Sequence, residues 1–464
     1  MKHGAERTAG ILRRGNGWTR LSALVMGAGC LRHGQIVKGL LYLGFEVLYA
    51  LFFFGFGWPY LRLFPTLGTT AQSRVWDEAA QIYRRVPGDN SMLILLFSVV
   101  TLASLALLFA VWRLNLKSAW LLEQKAARHE PVPRFREEVR TLMDERFHVT
   151  LLSLPMLTLV LFTALPIAFM ILIAFTNFDS THQPPGQLFT WTGLTNVTDV
   201  FLGNEVKTRT FFGILGWTLV WAVLATFTNY ILGMLLAVVI NHRVVRLKKL
   251  WRTCFVIAIA VPQFVTLLLV RNFFSNNGIF NTMMANAGVT DFLHNIGLLD
   301  KGLSYIPFLT QPGWAMFTII MINIWIGVPY QMLIATGVLM NIPADMIEAA
   351  RIDGANPVQM FFRIKLPYLL SVQGPSLVTD FVKNVNNFNV IYLLTQGVFV
   401  TQNQALAQSN AKEIDLLVTW LFRLTQDYYN YKMAAVLGIM VFIVCAVFTV
   451  VCFHFINKKE ATFS

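Results

Sequence analysis

The sequence has 464 residues, a formal net charge of +13 and a mean hydropathy of +0.57. Hydrophobic residues make up 56% of it and charged residues only 13%, which is too little charge to cover the surface of a soluble protein of this length. The composition therefore predicts an integral membrane protein.

Apolar stretches long enough to cross a bilayer recur along the chain. A helix needs roughly 20 mostly apolar residues to cross about 30 Å of hydrocarbon. Such stretches predict about eight transmembrane helices, at residues 39–57, 92–112, 151–175, 212–240, 254–274, 314–340, 368–395 and 433–455. Helices are expected because lipid cannot satisfy exposed backbone groups, and a strand barrel would show short alternating segments. The predicted fold class is all-α.

Lysine and arginine concentrate in the N-terminal stretch, the second and fourth inter-span loops and the C-terminal tail. The basic residues of these four regions are Arg13, Arg14, Arg20, Arg32 and Lys38, then Arg113, Lys117, Lys125, Arg128, Arg134, Arg136, Arg140 and Arg146, then Arg243, Arg246, Lys248, Lys249 and Arg252, and finally Lys458 and Lys459. Because cytoplasmic loops carry the excess of basic residues, both termini are expected in the cytoplasm. An even number of spans agrees with this orientation.

Several chemistries are not expected from this sequence. No soluble domain is large enough to present a folded basic surface with stacking aromatics, so nucleic-acid binding is not predicted. The sequence has no G-x-x-x-x-G-K-[ST], so another subunit would have to bind any ATP that is used. Cys30, Cys254, Cys445 and Cys452 show no metal spacing, and the histidines form no i, i+4 pair. No catalytic residue, metal or cofactor is predicted, because the constellation that a membrane glycosyltransferase would need is missing from the sequence.

The loop at 341–367, which contains "EAARIDGANPVQMFFRIKLP", differs from an ordinary inter-span loop. Pro343 suits a first helical turn, and Gly354 can end that helix in the left-handed conformation. Asn356 and Pro357 then predict a capped second helix through 364, which Pro367 is expected to close. The sequence therefore predicts a helix, a turn and another helix on the cytoplasmic side.

Two interpretations of this loop remain open from composition. Ala349 and Ala350 leave one face low in relief, with Glu348 and Arg351 at its edge, and such a surface can lie in a groove on a partner protein. The alternative is an amphipathic loop that lies on the lipid headgroups.

Polar residues interrupt the seventh predicted span, which contains Asp380, Lys383, Asn384, Asn386 and Asn387. Polar groups at membrane depth usually face the bundle interior or a watered cavity. The spacing of Asp380, Asn384 and Asn387 predicts one shared helical face, and their donors and acceptors suit sugar hydroxyls. Helix–helix hydrogen bonding is the alternative interpretation.

The fifth and sixth predicted spans add further candidates. Trp325 and Tyr330 can stack on a sugar ring, and Gly327 allows close approach to the backbone. Gly327-x-Pro329 can also interrupt the helix and free carbonyl groups toward a cavity. A simple kink with core aromatics is the alternative. In the fifth span, Gln263 follows a proline in "AVPQF".

The 341–367 loop resembles the EAA motif of permease subunits in ATP-binding-cassette (ABC) importers. The matching residues are Glu348, Ala349, Ala350, Arg351, Gly354, Ile364, Leu366 and Pro367. In that family the loop is a coupling helix that docks into a groove on the ATPase subunit. The resemblance therefore favours the partner-docking interpretation of the loop.

Other stretches resemble the larger, eight-span permease of the maltose/maltodextrin type. They are "AFTNFD", "WTGLTNVTDVF", "NNFNVIYLLTQG" and "EIDLLVTWLFRLT". The resemblance implies a segment 1–149 with two extra helices and a basic cytoplasmic loop, before a permease core at 150–464. It also implies that Trp325, Ile326, Gly327 and the polar face of the seventh span contribute to a sugar site, and Gln263 more weakly.

The expected assembly follows from the same resemblance. It contains a second homologous permease, two ATP-binding subunits or an ATPase homodimer, and an extracytoplasmic solute-binding protein, in a bacterial cytoplasmic membrane. The chain itself would break no bond in its oligosaccharide substrate. The alternative is an ion-coupled secondary sugar transporter, for which Glu46 and Asp380 are the acidic candidates.

Overall fold

The computed structural model describes residues 8–463 except 79, 204 and 243, and the side chains of residues 258 and 457–463 also lie outside this description. Arg243 and the side chains of Lys458 and Lys459, which entered the prediction of orientation, are therefore not described. The chain divides into two compact units, Met1–Gly193 and Leu194–Ser464, and each is described by itself. The predicted division between residues 149 and 150 remains a prediction.

The first unit contains helices and one short hairpin. Its elements are α1 (Thr8–Arg14), α2 (Gly17–Leu21), α3 (Ala28–Arg32), α4 (Ile36–Phe52), a π-helical turn (Phe53–Gly57), α5 (Trp58–Leu61), β1 (Ser73–Asp77), β2 (Ile82–Val86), α6 (Ser91–Ala127), α7 (Phe135–Met143), α8 (Phe147–Leu159), a second π turn (Val160–Ala164) and α9 (Leu165–Ile173). The two strands pair antiparallel.

A tight backbone crossing at Gly27 joins the short N-terminal helices to α4 and α6. Gly27 has a φ of +89°, and a Cβ there would lie 2.1 Å from the carbonyl oxygen of Gly39. The Asn115 side chain of α6 accepts the Gly27 N–H at 2.9 Å. Glu46 of α4 accepts the Met26 N–H at 2.7 Å. These bonds satisfy polar groups that an apolar segment could not leave unpaired.

The second unit is helical in all of its described elements. They are α10 (Thr195–Phe201), α11 (Glu205–Asn241), α12 (Lys248–Ala260), α13 (Gln263–Phe273), α14 (Ile279–Asn286), α15 (Val289–Asn295), α16 (Pro312–Met340), α17 (Ala344–Ile352), α18 (Pro357–Met360), a π turn (Phe361–Lys365), α19 (Leu366–Val385), α20 (Phe388–Thr395), α21 (Gln404–Gln408), α22 (Leu417–Gln426) and α23 (Tyr431–Phe463).

Helices α11 and α16 pack together and carry two separate apolar clusters. One cluster includes Trp221 and Ala225 of α11 with Ile319 and Ile322 of α16. The other joins residues 230–240 of α11 to residues 332–338 of α16 and to Leu369 of α19. The stretch between the clusters lies near the middle of both helices. It is there that polar side chains collect.

Six helical segments among the described residues are long and apolar enough to cross a membrane. They are Ile36–Leu61, Ser91–Ala127, Phe147–Ile173, Glu205–Asn241, Pro312–Met340 and Tyr431–Ile456. The fifth and seventh predicted spans are each divided into two helices, α12 with α13 and α19 with α20. The all-α prediction is confirmed, while the number of eight uninterrupted spans is not.

The three described π turns share a proline two residues beyond their last residue: Phe53–Gly57 precedes Pro59, Val160–Ala164 precedes Pro166, and Phe361–Lys365 precedes Pro367. A proline ring clashes with the carbonyl four residues earlier in a regular α-helix, and a wider turn gives it room. Pro367 was expected to close the second helix of the 341–367 loop, and that expectation is wrong. The helix continues through the π turn to Val385.

Gly27→Ala and Gly34→Ala form a matched pair that isolates the steric role of the Gly27 crossing. Both glycines have positive φ, but only Gly27 has backbone within reach of an added Cβ, since Gly34 faces open space. We expect Gly27→Ala to destabilise the first unit by about 1–3 kcal/mol more than Gly34→Ala does. Thermal unfolding of the purified membrane protein measures the difference, and equal shifts in Tm would contradict this role.

Candidate functional site

A cavity of about 550 Å³ lies in the second unit, between the two apolar clusters of α11 and α16. Its wall comes from the middle of both helices and from the two places where a predicted span is broken. The eight residues predicted from the sequence as substrate-binding all line it: Gln263, Trp325, Ile326, Gly327, Tyr330, Asp380, Asn384 and Asn387. The structure therefore brings residues from four separate chain segments to one place.

Both helix breaks at the cavity have local causes. Between α12 and α13, Val261 and Pro262 are extended, with ψ values of 129° and 127°. Proline disfavours the helical conformation of the residue before it, so Val261 ends α12. Between α19 and α20, Asn387 caps the new helix, and its side chain accepts the Val390 N–H at 3.3 Å. Each break turns irregular backbone toward the cavity.

Asn384 connects the seventh predicted span to α11. Its side-chain amide donates to Thr226 at 2.9 Å, and its backbone carbonyl accepts the Trp221 indole N–H at 3.1 Å. Asn387 donates to the Asn384 side chain at 3.4 Å. Since α19 ends at Val385, Asn387 does not share a helical face with Asp380 and Asn384 as predicted. It reaches the same cavity through the break.

The two charged residues of the cavity wall are both held by neighbours on α16. Gln331 donates its side-chain amide to the Asp380 carboxylate at 2.7 Å. The Lys383 ammonium lies 5.7 Å from the centroid of the Tyr330 ring, within cation–π range. Trp325 is 54% exposed and Tyr330 is 47% exposed, so both present aromatic surface for stacking.

Gly327 permits a close approach between α16 and the Asn229 side chain of α11. A Cβ at Gly327 would lie 2.2 Å from the Asn229 amide nitrogen. The predicted interruption at Gly327-x-Pro329 is wrong, since α16 runs unbroken from Pro312 to Met340. Pro329 removes one N–H donor and crowds the carbonyl four residues earlier, yet the helix continues on both sides of it. The glycine thus provides space for a side chain and does not mark a break.

Two buried carboxamide atoms in the cavity wall have no hydrogen-bond partner among the described residues. They are the side-chain oxygen of Asn229 and the side-chain nitrogen of Asn323. Both side chains are more than nine-tenths buried. Buried polar groups are normally satisfied, so an unpaired acceptor and an unpaired donor beside a cavity indicate a site for a polar ligand.

The chemistry of the wall is that of neutral hydrogen bonding. Eight carboxamide side chains line the cavity, and Asp380 and Lys383 are the charged residues among its described lining. Each carboxamide offers both donors and an acceptor. No three His, Cys, Asp or Glu residues of the described chain lie together as metal ligands. The arrangement can bind an uncharged, polyhydroxylated molecule with an apolar ring face.

Sequence reasoning missed part of this wall. The cavity is also lined by Thr226, Asn229, Thr266, Asn323 and Gln331. Thr226 and Asn229 are polar exceptions three residues apart in an apolar span, and that spacing was the signal available in the sequence. Nothing in the sequence reveals that Asn229 lies against Gly327.

The 341–367 loop has the geometry predicted for it up to residue 360. Helix α17 ends before Gly354, whose φ is +76°. Asn356 caps α18: its side chain accepts the Gln359 N–H at 2.8 Å, and the Gln359 side chain accepts the Asn356 N–H at 3.0 Å. The capping box fixes the turn between the two helices.

The residues that carried the motif resemblance lie mostly on the surface of this loop. Helix α17 has no buried residue. Glu348, Ala349, Arg351, Gly354 and Pro367 are exposed, and Ala350, Ile364 and Leu366 are half-buried. The apolar side chains of Ile352, Val358 and Phe362 are exposed as well. Such a surface suits a protein partner.

A family model of binding-protein-dependent transport system inner membrane components matches residues 229–460, which include the loop and most of the cavity wall. The chain belongs to this family. The resemblance to the permease subunits of ABC importers is thereby confirmed, and the chain is an integral membrane permease.

Two relatives of this permease are similar over nearly their full length. The galactooligosaccharides transport system permease protein GanP of Bacillus subtilis is 31% identical, over 90% of this chain and 93% of that protein. The maltodextrin transport system permease protein MalC of Streptococcus pneumoniae is 30% identical, over 93% of this chain and 94% of that protein.

A solved structure shows the same fold. A chain of a bacterial ABC transporter involved in the import of the acidic polysaccharide alginate superposes with a TM-score of 0.51 and is 23% identical. The match covers 70% of this permease and 99% of that chain. It supports the helical permease architecture and, at this identity, carries no argument about substrate.

Gly327→Ala is expected to impair transport while leaving the fold intact. The added methyl would collide with the movable end of the Asn229 side chain, which can swing away at little cost but would then enter the cavity. With one ligand hydrogen bond lost, we expect uptake at low substrate concentration to fall about 2- to 10-fold. Gly337→Ala on the same helix faces open space and serves as the control. Equal uptake by the two variants would contradict this role of Gly327.

Proposed function

We propose that this permease is the translocation subunit of an ABC importer for neutral oligosaccharides of the maltodextrin type. The observation that carries the proposal is the carboxamide-lined cavity near the middle of α11 and α16, with exposed Trp325 and Tyr330 in its wall. Sugar rings need hydroxyl partners around their edge and an apolar surface against one face. The names of GanP and MalC, both oligosaccharide permeases, support the same substrate class.

Substrate binding is proposed for Gln263, Trp325, Ile326, Gly327, Tyr330, Asp380, Asn384 and Asn387. Rotation of the Asn229 and Asn323 side chains would bring their unpaired atoms to the cavity, where the Asn229 oxygen would accept a hydrogen bond from the sugar and the Asn323 nitrogen would donate one. A ligand that satisfies both removes the cost of leaving them buried, about 1–3 kcal/mol for each group. The cavity is therefore suited to a polar ligand.

The 341–367 loop is proposed to couple the cavity to ATP hydrolysis on separate subunits. Glu348, Ala349, Ala350, Arg351, Gly354, Ile364, Leu366 and Pro367 would form the surface that docks on the ATPase. Two ATP-binding subunits, a second homologous permease and an extracytoplasmic solute-binding protein would complete the transporter. Hydrolysis would be confined to the ATPase subunits, so the permease itself would not be an enzyme.

The proposed orientation places both termini and the 341–367 loop in the cytoplasm of a bacterial cell. It follows from the concentration of lysine and arginine at the N-terminus and in alternate loops. In this orientation the hairpin after the first span and the loop after the third span face the outside.

Ion coupling, the alternative function, gains no support from the two acidic candidates. Glu46 accepts a backbone N–H at 2.7 Å, and Asp380 accepts the Gln331 amide at the same distance. A proton carrier has to be released and recaptured during transport, whereas both carboxylates accept hydrogen bonds from neighbouring groups of the described chain. Glu46 is better explained as a group that holds helices in place, and Asp380 as a member of the proposed sugar site that Gln331 positions.

Trp325→Ala is expected to weaken sugar transport by removing stacking surface. We expect the apparent affinity to fall by at least about threefold, equivalent to a stacking contribution of about 0.5–1.5 kcal/mol. Phe317→Ala is the matched control, because Phe317 is an exposed aromatic residue of the same helix that does not line the cavity. Asn387→Ser, which keeps a capping side chain but removes the amide donor, should behave like Trp325→Ala.

These variants are measured in reconstituted complexes by maltodextrin uptake and by sugar-stimulated ATPase activity, with galactooligosaccharide as a second substrate. Basal ATPase activity and assembly should persist, since the coupling loop is unchanged. If Trp325→Ala and Asn387→Ser both transport each sugar as the parent does, the proposed site is wrong.

Gly354→Val is expected to uncouple ATP hydrolysis from transport without preventing membrane insertion. The φ of +76° disfavours a β-branched residue, so the turn between α17 and α18 would have to change. Gly354→Asn is the control, because asparagine tolerates the left-handed conformation. We expect sugar-stimulated ATPase activity to fall at least about fivefold for valine and to stay within about twofold for asparagine. Unaltered coupling in Gly354→Val would contradict the proposed role of the loop.

A further inference from the structure

The hairpin of β1 and β2 lies between the first two spans, and it has no role in the proposed sugar site. Its strands pair in antiparallel register, Arg74 with Arg85 and Trp76 with Tyr83. In such a pair, directly opposed residues lie on the same side of the sheet. These four side chains therefore share one face, which we call the arginine–aromatic face. All four residues are exposed.

The other face of the hairpin is different in composition. It carries Val75, Ile82 and Val86 together with an ion pair in which Arg84 lies 3.1 Å from Asp77. The hairpin thus pairs its strand carboxylate with an arginine on this side. On the arginine–aromatic face the two strands provide no acidic residue, and neither arginine forms a salt bridge with a described residue.

The Arg74–Arg85 pair is unfavourable for the hairpin alone. Like charges placed directly opposite across two strands destabilise the pairing, and a single two-stranded hairpin is marginal even without this cost. Trp76 and Tyr83 partly offset it by an edge-to-face contact with ring centroids 5.0 Å apart. Like charges kept directly opposite each other at an exposed position, despite this cost, are typical of a functional surface.

The base of the hairpin is held firmly, while the arginine–aromatic face is exposed. The Asp89 carboxylate accepts the N–H groups of Thr69 and Thr70 at 2.8 and 3.1 Å, and these bonds lower the pKa of Asp89. Gln72 donates its N–H to the Pro185 carbonyl at 3.1 Å. The chain therefore fixes where the hairpin begins and ends while leaving the arginine–aromatic face uncovered.

We propose that the arginine–aromatic face docks an acidic patch of the extracytoplasmic solute-binding protein. The proposal rests on the proposed function, which supplies both the partner and the external position of the hairpin. Two facing guanidinium groups that form no salt bridge with a described residue fit a pair of carboxylates on a partner, because arginine binds carboxylate through two parallel hydrogen bonds. Tryptophan, tyrosine and arginine are also the residues that dominate binding energy at protein interfaces.

The test compares two double variants that change the charge equally on opposite faces. Arg74→Gln/Arg85→Gln removes two positive charges from the arginine–aromatic face, and Val75→Glu/Val86→Glu adds two negative charges to the other face. The full transporter is reconstituted in phosphatidylcholine nanodiscs. The probe is the purified solute-binding protein that stimulates the ATPase activity of the parent complex. Its Kd is measured at about 50 and about 300 mM salt.

We expect Arg74→Gln/Arg85→Gln to raise this Kd about tenfold at low salt and less at high salt, since the lost contacts are ionic. The control should stay within about threefold of the parent. Basal ATPase activity should be unchanged in both. In intact cells, an impermeant maleimide should label Ser73→Cys but not Gln359→Cys.

Other outcomes overturn the proposal in distinguishable ways. A parent complex that no solute-binding protein stimulates overturns the proposed function, and the docking role with it. A stimulated parent whose Arg74→Gln/Arg85→Gln variant binds equally well overturns only the docking role. A difference in Kd that appears only in nanodiscs containing phosphatidylglycerol assigns the face to lipid headgroups. Labelling of Gln359→Cys from outside reverses the topology and places the hairpin in the cytoplasm.

Discussion

Hydrogen bonding of the backbone inside lipid is the constraint on which this structure depends. An unpaired backbone group in hydrocarbon costs several kcal/mol, so irregular chain at membrane depth persists only where it is buried in protein or lines a cavity. The second unit breaks its helices at Val261–Pro262 and at Asn386–Asn387, and both breaks line the same cavity. The polar interior of the permease and the interruption of its helices are therefore two results of one requirement.

The cavity wall satisfies some of its polar side chains and leaves others open. Asn384 and Asp380 are held by neighbours on α11 and α16, which fixes the position of the seventh span. Asn229 and Asn323 each keep an unpaired atom in the same wall. The hydrogen-bonded residues fix the shape of the cavity, and the unpaired atoms are available for hydrogen bonds with a ligand. Gly327 leaves the space in which the Asn229 side chain lies between α11 and α16.

Most of the architecture could be predicted from the sequence, because hydropathy and loop charge respond directly to the bilayer. The cavity residues on spans six and seven were also predictable, since polar groups in apolar segments need a reason. The breaks at Pro262 and Asn387 were not predicted, because proline and asparagine also occur inside continuous membrane helices, as Pro329 does in α16. The contact between Asn229 and Gly327 depends on which helices pack together, and no local pattern encodes that. The prediction that Pro367 ends a helix failed for a related reason. The π turn at Phe361–Lys365 gives room to the proline ring, so the helix continues.

The continuity of the helix beyond Pro367 has a mechanical consequence. From Pro357 to Val385 the chain is continuously helical through the π turn at Phe361–Lys365 and through Pro375, and is about 40 Å long at 1.5 Å per residue. The turn at Gly354, which is proposed to face the ATPase, lies just before one end of this segment, and Asp380 and Asn384 lie near the other. A tilt of about 10° at the first end would sweep the second through about 7 Å, enough to carry both side chains out of reach of a bound sugar. The permease would then release its substrate through the tilt of this helical segment, without the unfolding of any part of it.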